Sequence, residues 1–504
     1  MDSLETVGGD NRNRALRPQA LARLLAVGAL LCTVLAPASA ASAATRHTAA
    51  KPGGKPPNVK PAEVRLTPRL ISTPGATVVA PPVGLSIEYS VMALALGSEA
   101  CPPPALAAEL EKLGSPPIEL GGVTQDWTAP SGALPNPPTS WQTATAYPLP
   151  ASFWAQLHCL LTATKDPLTV GLNLRTGSLE WAQQMAKAAS ETATNGLSFS
   201  LGNEPDLYGL PNYASLAKPL QGEELAAANL YLKLAEYLRP AIGNAQLVGP
   251  EIARPADWRL QLQRVIGQLH VQTVGVHAYP LTDCRGGRGA TLDALLSAKV
   301  ADEPSRLAWV AGLARAAGLP TIISEANSAS CGGIPGLSDT PAAAVWAVRF
   351  VIDALKSGFE QVRFHSAGDP YDPFIVSGRA VVTRPIESAL VALNRWLPVG
   401  ATFRSVSRVG SLVATAIGEP PAPATGAPAA GIPASGSTTA KLVLILDNEV
   451  AQAQTVVVHA AGNVHVSILS AAFPGLASFT RAATAGVVRL SVARHSLIAL
   501  SPSV

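Results

Sequence analysis

Eight short apolar segments alternate with helical patterns along the middle of the chain, between residues 83 and 367. Strands that are apolar on both faces and follow one another through helices are typical of parallel sheets, which are covered on both sides. Eight such units predict an α/β fold, the (β/α)8 or TIM barrel. A doubly wound open sheet is the alternative, but the first segment is not followed by a Gly-rich phosphate loop. The segments are Val83–Ser90, Pro117–Gly122, Leu168–Leu174, Leu197–Glu204, Gln246–Ile252, Thr273–Tyr279, Thr321–Asn327 and Gln361–Ala367.

The pattern changes after the last unit. Residues 397–504 contain β-rich segments separated by turn residues, which predict a C-terminal antiparallel β-sandwich. A Pro-, Ala- and Gly-rich stretch at 418–440 is too poor in large apolar residues to form a core, so we expect a long loop there. We therefore assign the catalytic barrel to residues 81–396, and we expect the preceding segment, residues 63–80, to join the β-sandwich.

The N-terminus is typical of a secretory signal peptide. Four arginines between residues 12 and 23 precede a short apolar run, Leu24–Ala36, and a run of small residues, Pro37–Ala44. An uncleaved anchor is the alternative, although the run is short for a membrane span. We thus predict a signal peptide at 1–44, a flexible linker at 45–62 and a secreted protein without stable membrane insertion.

The cysteine content bears on disulfide bonds, and the charge content bears on the kind of partner. Beyond the signal peptide stand Cys101, Cys159, Cys284 and Cys331, an even number that favours disulfides in a secreted chain, with three pairings open. A net charge of +3 over 504 residues, without a Lys/Arg cluster, argues against nucleic acid as a partner. The sequence indicates no metal and no cofactor, and it leaves the oligomeric state undetermined.

Two glutamates end predicted strands. Glu204 ends the fourth and Glu325 the seventh, and function gathers at the carboxyl ends of barrel strands. Glycoside hydrolysis requires two carboxyl groups beside one bond. A single such glutamate is more often a helix cap or an ion-pair member, but the pair, with Asn203 before the first, indicates catalysis on a carbohydrate substrate.

Neighbouring residues extend this hypothesis. Asn203 is placed to hydrogen-bond a sugar hydroxyl, and Tyr279 is expected to donate a hydrogen bond that keeps Glu325 ionised. Pro205 is expected to restrict Glu204 to extended geometry. His277 is either part of the site wall or a satisfied core residue.

The motifs resemble glycoside hydrolase family 79, which includes β-glucuronidases and heparanases and belongs to a clan of retaining (β/α)8 glycosidases. The resemblance lies in "GNEPD" after the fourth strand and, more specifically, in "SEANSASCGGIPGLSDTPAAAVWAV", residues 324–348. Weaker matches in the right order extend it over residues 83–396, and the β-rich tail is similar to the C-terminal sandwich of that family.

The resemblance implies roles for individual residues. Glu204 would be the acid/base and Glu325 the nucleophile. Sugar hydroxyls and the glucuronate carboxylate would be bound by further residues around this pair. The hydroxyl ligands would be Glu88, Asp126 and Asn203, with His277 and Tyr279 beside them, and the carboxylate ligands would be Gly332 and Tyr371.

Four positions depart from the family pattern. Glu119 stands where relatives carry arginine, Val123 and Thr124 change the motif after the second strand, and Ser330 replaces an aromatic residue. These departures concern the identity of the recognised sugar more than the type of reaction. A bridge between Cys284 and Cys331, in the loops after strands six and seven, would brace the rim of the site.

We therefore expect a secreted retaining β-glycosidase, most simply of the β-glucuronidase type. A related enzyme acting on β-glucosides or β-xylosides and a non-catalytic carbohydrate-binding protein are the alternatives. The motifs do not determine the natural glycan or whether cleavage is exo or endo.

Overall fold

The computed structural model describes residues 62–65, 75–132, 147–208, 223–284, 289–368, 370–409, 412–418, 442–449, 452–460 and 462–502. The predicted signal peptide, linker residues 45–61 and loop residues 419–440 lie outside these ranges. Among the described residues, no helix is both long and apolar enough to cross a bilayer.

Eight parallel strands close into a barrel, as the alternating pattern predicted. Each strand pairs with the next along the chain, and the eighth pairs with the first. Nearly every residue in these strands is buried, because helices cover the outer face and side chains fill the interior. The strands are β1 (Val83–Glu88), β2 (Ile118–Gly121), β3 (Leu168–Leu172), β4 (Leu197–Leu201), β5 (Gln246–Ile252), β6 (Thr273–Ala278), β7 (Thr321–Ala326) and β8 (Gln361–Ser366).

Twelve α-helices are seen in the described residues, and most of them surround the barrel. The longest, which follows β7, begins with a proline at its first position and ends before Gly358, whose φ of 97° is left-handed. The helices are α1 (Tyr89–Leu96), α2 (Pro104–Lys112), α3 (Phe153–Thr164), α4 (Leu179–Thr192), α5 (Glu223–Leu238), α6 (Leu262–Leu269), α7 (Leu292–Leu295), α8 (Ala298–Ala301), α9 (Glu303–Arg306), α10 (Ala308–Ala316), α11 (Pro341–Ser357) and α12 (Pro385–Trp396).

The C-terminal region forms two sheets that share an apolar core, as expected for a β-sandwich. The larger sheet has the order β9-β10-β11-β16-β13-β14, and the smaller consists of β12, β15 and Ala62–Arg65, which pairs parallel to β12. The mostly exposed β14 was not predicted because it lacks an apolar alternation. The strands are β9 (Thr402–Val409), β10 (Leu412–Gly418), β11 (Leu442–Asn448), β12 (Gln454–His459), β13 (Val464–Ser470), β14 (Phe473–Arg481), β15 (Val487–Val492) and β16 (Ser496–Pro502).

A buried ion pair joins the barrel to the sandwich. Arg349 of α11 donates two hydrogen bonds, of 2.8 and 2.7 Å, to the carboxylate of Asp447 in β11. The same guanidinium donates a third, of 2.8 Å, to the carbonyl of Leu296. Ile417, Ile445 and other residues on the same sheet face also belong to the main apolar core, so the two regions pack continuously.

Two disulfides settle the open cysteine pairing. Cys101 bonds to Cys159, and Cys284 bonds to Cys331. The second joins the loops after β6 and β7, where residues 281–282 also pair in parallel with residues 329–330. The expected bridge at the barrel rim is therefore present.

Candidate active site

Glu204 and Glu325 come together at the carboxyl end of the barrel. One carboxylate oxygen of each lies within 4.8 Å of the other and of a ring nitrogen of His277. Retaining glycosidases place their two carboxyl groups about 5–5.5 Å apart, whereas inverting enzymes need about 6.5–9.5 Å to admit a water. The spacing therefore suits direct attack by one carboxylate and proton transfer by the other.

The backbone of Glu204 differs from the expectation. Its φ and ψ are 48° and 53°, which is left-handed and not extended. The Glu204 amide donates to the carbonyl of Glu251 (2.9 Å), and the Glu204 carbonyl accepts from Leu207 in the short 3-10 turn Pro205–Leu207. These two hydrogen bonds hold the strained conformation, so the tertiary structure overrides the local preference of a residue before proline.

The two carboxylate oxygens of Glu325 differ in their hydrogen bonding. Tyr279 donates a 2.7 Å hydrogen bond to Oε1, as the sequence predicted. Oε2 is buried and has no hydrogen-bond partner, although Nδ1 of His365 lies 3.4 Å away. Ser324 has no partner in the register with β6, and this bulge orients Glu325 at the strand end.

His277 belongs to the site and not merely to the core. Its Nδ1 lies 3.2 Å from Oε1 of Glu204 and 3.7 Å from Oε1 of Glu325. Burial by itself lowers the pKa of His277, but the nearby carboxylates of Glu325, Glu204 and Glu251 outweigh it and raise the pKa well above its usual range. A protonated His277 can donate from both ring nitrogens.

His365 bridges Glu325 to Glu88. Its Nε2 lies 3.5 Å from Oε1 of Glu88. Burial lowers the pKa of His365, yet Glu325 and Glu88 together raise it from 6.5 to about 9. Glu88 also accepts hydrogen bonds from the amides of Val123 and Thr124 and from the Thr124 hydroxyl. In this structure the Glu88 carboxylate thus orders the loop after β2.

Asp126 is likewise occupied by protein groups. It accepts hydrogen bonds from the amides of Leu174 and Asn203 and from the hydroxyl of Tyr208. Burial raises the pKa of Asp126 to about 6 despite these donors. Asp126 therefore anchors the backbone that leads from Asn203 into Glu204.

Gly332 and Tyr371 lie on the side of the site next to His365. Cys331, Gly332 and Gly333 all have positive φ, of 61°, 92° and 74°. A Cβ on Gly333 would lie 2.7 Å from the Tyr371 ring, so only glycine permits this close approach. The Tyr371 ring is buried, and its centroid lies 6.0 Å from that of His365.

Three charged residues inside the barrel were not predicted. Glu251, in β5, lies 3.2 Å from Nε2 of His277 through its Oε2. Below it, Arg363 of β8 and Glu119 of β2 form a buried ion pair of 2.6 Å. Burial and the charge of Glu251 raise the pKa of Glu119 to about 7, although Arg363 opposes the shift. Glu251 lies within the predicted strand sequence "QLVGPEI". A single charged residue in an otherwise uncharged strand was the signal that could have indicated it.

The cluster of Glu204, His277 and Glu325 is also compact enough to surround a cation. Both ring nitrogens of His277 already lie 3.2 Å from carboxylate oxygens, however. A metal ion at His277 would have to displace one of these contacts.

No protein-family model and no curated protein matches the chain. Solved structures do, at low identity. A 4-O-α-L-rhamnosyl-β-D-glucuronidase from Fusarium oxysporum 12S has a TM-score of 0.62 at 17% identity, covering 86% of this chain and 99% of its own. A family 51 arabinofuranosidase from Xanthomonas axonopodis pv. citri has a TM-score of 0.57 at 14% identity, covering 87% and 98%.

An α-L-arabinofuranosidase from Thermotoga maritima, in complex with arabinose, has a TM-score of 0.56 at 11% identity, covering 88% of this chain and 99% of its own. At such identities the likeness concerns the fold. The chain shares with these three proteins a (β/α)8 barrel with an additional β-rich region.

Proposed function

We propose that this protein is a retaining glycoside hydrolase in which Glu325 is the nucleophile and Glu204 the general acid/base. The observation that carries the proposal is the approach of their carboxylate oxygens to within 4.8 Å at the barrel rim. Three similar folds named as glycosidases support the reaction class, although at their identities the chemistry must be argued from the site.

The first half of the reaction forms a covalent intermediate. The carboxylate of Glu325 attacks the anomeric carbon as the glycosidic C–O bond breaks. Glu204 transfers its proton to the departing oxygen. Tyr279 donates a hydrogen bond to Oε1 of Glu325 and thereby orients the carboxylate.

The second half hydrolyses the glycosyl ester. The Glu204 carboxylate accepts a proton from water, the water oxygen attacks the anomeric carbon, and the bond to Glu325 breaks. The starting ionisation is restored, with a proton on Glu204 and a negative charge on Glu325. Two inversions at the anomeric carbon give net retention.

We propose β-glucuronides as the substrate class. The support is the family resemblance of residues 324–348, the placement of Gly332 beside Gly333 and Tyr371, and the glucuronidase activity named for one protein of similar fold. The two disulfides agree with an extracellular site of action, where such bonds persist.

The test compares 4-nitrophenyl glycosides of β-glucuronic acid, β-glucose, β-xylose and α-L-arabinofuranose. We expect turnover of the β-glucuronide with release of the β-anomer, followed by nuclear magnetic resonance. Preference for another sugar would contradict the substrate class and leave the reaction class standing. Wild-type protein that turns over none of the four would support a binding protein instead.

Azide distinguishes the two glutamates. In Glu204→Ala, azide should intercept the covalent intermediate and give the β-glycosyl azide. In Glu325→Ala, azide should replace the nucleophile and give the α-glycosyl azide. Glu236→Gln, an exposed glutamate of α5, is the matched control and should retain full activity. Hydrolysis at the wild-type rate by both alanine variants would refute the assignment.

A further inference from the structure

We propose that Glu251 is a positioning residue that acts through His277 to decide which oxygen of Glu204 carries the transferable proton. The inference rests on the proposed function and deepens it. It derives from a continuous contact chain, Glu251 to His277 to Glu204, with both links at 3.2 Å.

The backbone places Glu251 at this point by an irregularity of β5. Pro250 pairs with Gly275 and Ile252 pairs with Val276, so Glu251 is an extra residue without a partner in β6. Its φ is 56°, a left-handed value that non-glycine residues rarely adopt. Bulges of this kind redirect a side chain and are frequent next to active sites. Here the bulge turns Glu251 into the barrel interior.

The neighbouring strand leaves room for the carboxylate. A Cβ on Gly275 would overlap Oε1 of Glu251, so β6 needs a glycine at that position. Glu251 is only 3% exposed, and Oε1 has no hydrogen-bond partner. A buried, half-satisfied carboxylate is costly and calls for a compensating interaction. The interaction that the structure supplies is the contact with His277.

Glu251 also holds the acid/base residue directly. Its carbonyl accepts the Glu204 amide hydrogen bond that stabilises the left-handed turn. Backbone and side chain of one residue thus act on Glu204 by two routes. Only the side-chain route can be changed without altering the turn, which makes it separately testable.

The chemical consequence follows from the donors of His277. A carboxylate facing Nε2 stabilises the doubly protonated ring, which then donates from Nδ1 to Oε1 of Glu204. An Oε1 that accepts this hydrogen bond leaves Oε2 to carry the proton for the leaving group. Without the charge of Glu251, a neutral His277 that is unprotonated at Nδ1 can accept a hydrogen bond from a protonated Oε1 of Glu204, and the proton is then held on the oxygen that faces away from the leaving group.

The experiment measures how the rate depends on the leaving group. For wild type and Glu251→Gln, kcat/KM is determined with aryl glycosides of the best substrate sugar, from dinitrophenyl to phenyl. Dinitrophenolate departs without protonation, whereas phenolate needs the acid. We expect Glu251→Gln to lose at least about tenfold more activity on the phenyl than on the dinitrophenyl glycoside, which is a part of the roughly 10²- to 10⁴-fold effect of a general acid.

Two further variants separate positioning from structural damage. Glu251→Asp keeps the charge but shortens the side chain, so its leaving-group dependence should lie between those of wild type and Glu251→Gln; if Glu251→Gln does not fold, Glu251→Asp serves as the test variant. Glu387→Gln removes a buried carboxylate that pairs with Lys112 on the outside of the barrel. It should leave the leaving-group dependence unchanged.

The outcomes are distinguishable. An equal loss on all leaving groups in Glu251→Gln, or a wild-type dependence in the tested variant, overturns the positioning role while the proposed hydrolase stands. A wild type inactive on every glycoside overturns the proposed function itself, and the positioning role with it.

Discussion

Breaking the ion pair between Arg349 and Asp447 should strongly destabilise the fold, because each partner is buried where α11, the helix after β7, meets the sandwich. Both side chains are buried, with exposures of 4% and 10%. Removing one partner of a buried pair leaves an uncompensated charge and costs about 3–5 kcal/mol. Arg349→Met also loses the hydrogen bond to Leu296, so it should cost about 1 kcal/mol more than Asp447→Leu.

Replacing both partners together should be much less damaging than the two single changes predict. Apolar residues of similar volume often substitute for a buried ion pair with little loss. Guanidinium unfolding followed by tryptophan fluorescence gives the free energies for this double-mutant cycle. We expect a coupling of at least about 2 kcal/mol between the two positions. Single changes that each cost under about 1 kcal/mol, or strictly additive effects, would refute the reasoning.

Three further predictions concern the site and its rim. Tyr279→Phe removes a hydrogen bond to the charged Glu325, so kcat should fall about 10- to 100-fold, measured in steady state; an unchanged kcat would contradict the role of Tyr279. The two disulfides, Cys101–Cys159 and Cys284–Cys331, close separations of 58 and 47 residues, so replacing either pair by serine should lower the free energy of unfolding by about 4 kcal/mol. Only the loss of Cys284–Cys331, which lies at the barrel rim, should also raise KM, and the Cys101–Cys159 variant is the control. The His365 pKa is raised to about 9 in the folded state; its stabilisation is therefore complete below pH 6.5 and is lost as the pH rises towards 9, so Tm should fall over that interval and fall less in His365→Gln.

Much of the architecture was readable from local pattern. Buried parallel strands are apolar on both faces, and their repetition with helices leaves few folds other than the barrel. The strand ends then located Glu204 and Glu325 without reference to contacts. The same logic predicted Tyr279 as a partner of Glu325, because neighbouring parallel strands bring their carboxyl ends to one rim.

Backbone irregularities were not readable in this way. The left-handed turn at Glu204 contradicts the preference of a residue before proline, and it is stabilised by the carbonyl of Glu251, a residue far away in sequence that accepts the Glu204 amide hydrogen bond. Likewise, no local rule indicated that Glu251 would form a bulge and turn inward. Its effect depends on Gly275 in the adjacent strand.

The sequence by itself determined the eight-fold repeat, the sandwich that follows it, and the two carboxylates that end strands four and seven. These features depend on the spacing of apolar and acidic residues along the chain, which local physical chemistry constrains. Only the tertiary structure decided the cysteine pairing, the ion pair of Arg349 with Asp447, and the contacts of His277 with three glutamates. Those interactions join residues far apart in sequence, so they exist only in the folded chain; the contacts of His277, for example, require β4, β5, β6 and β7 to lie side by side in the barrel.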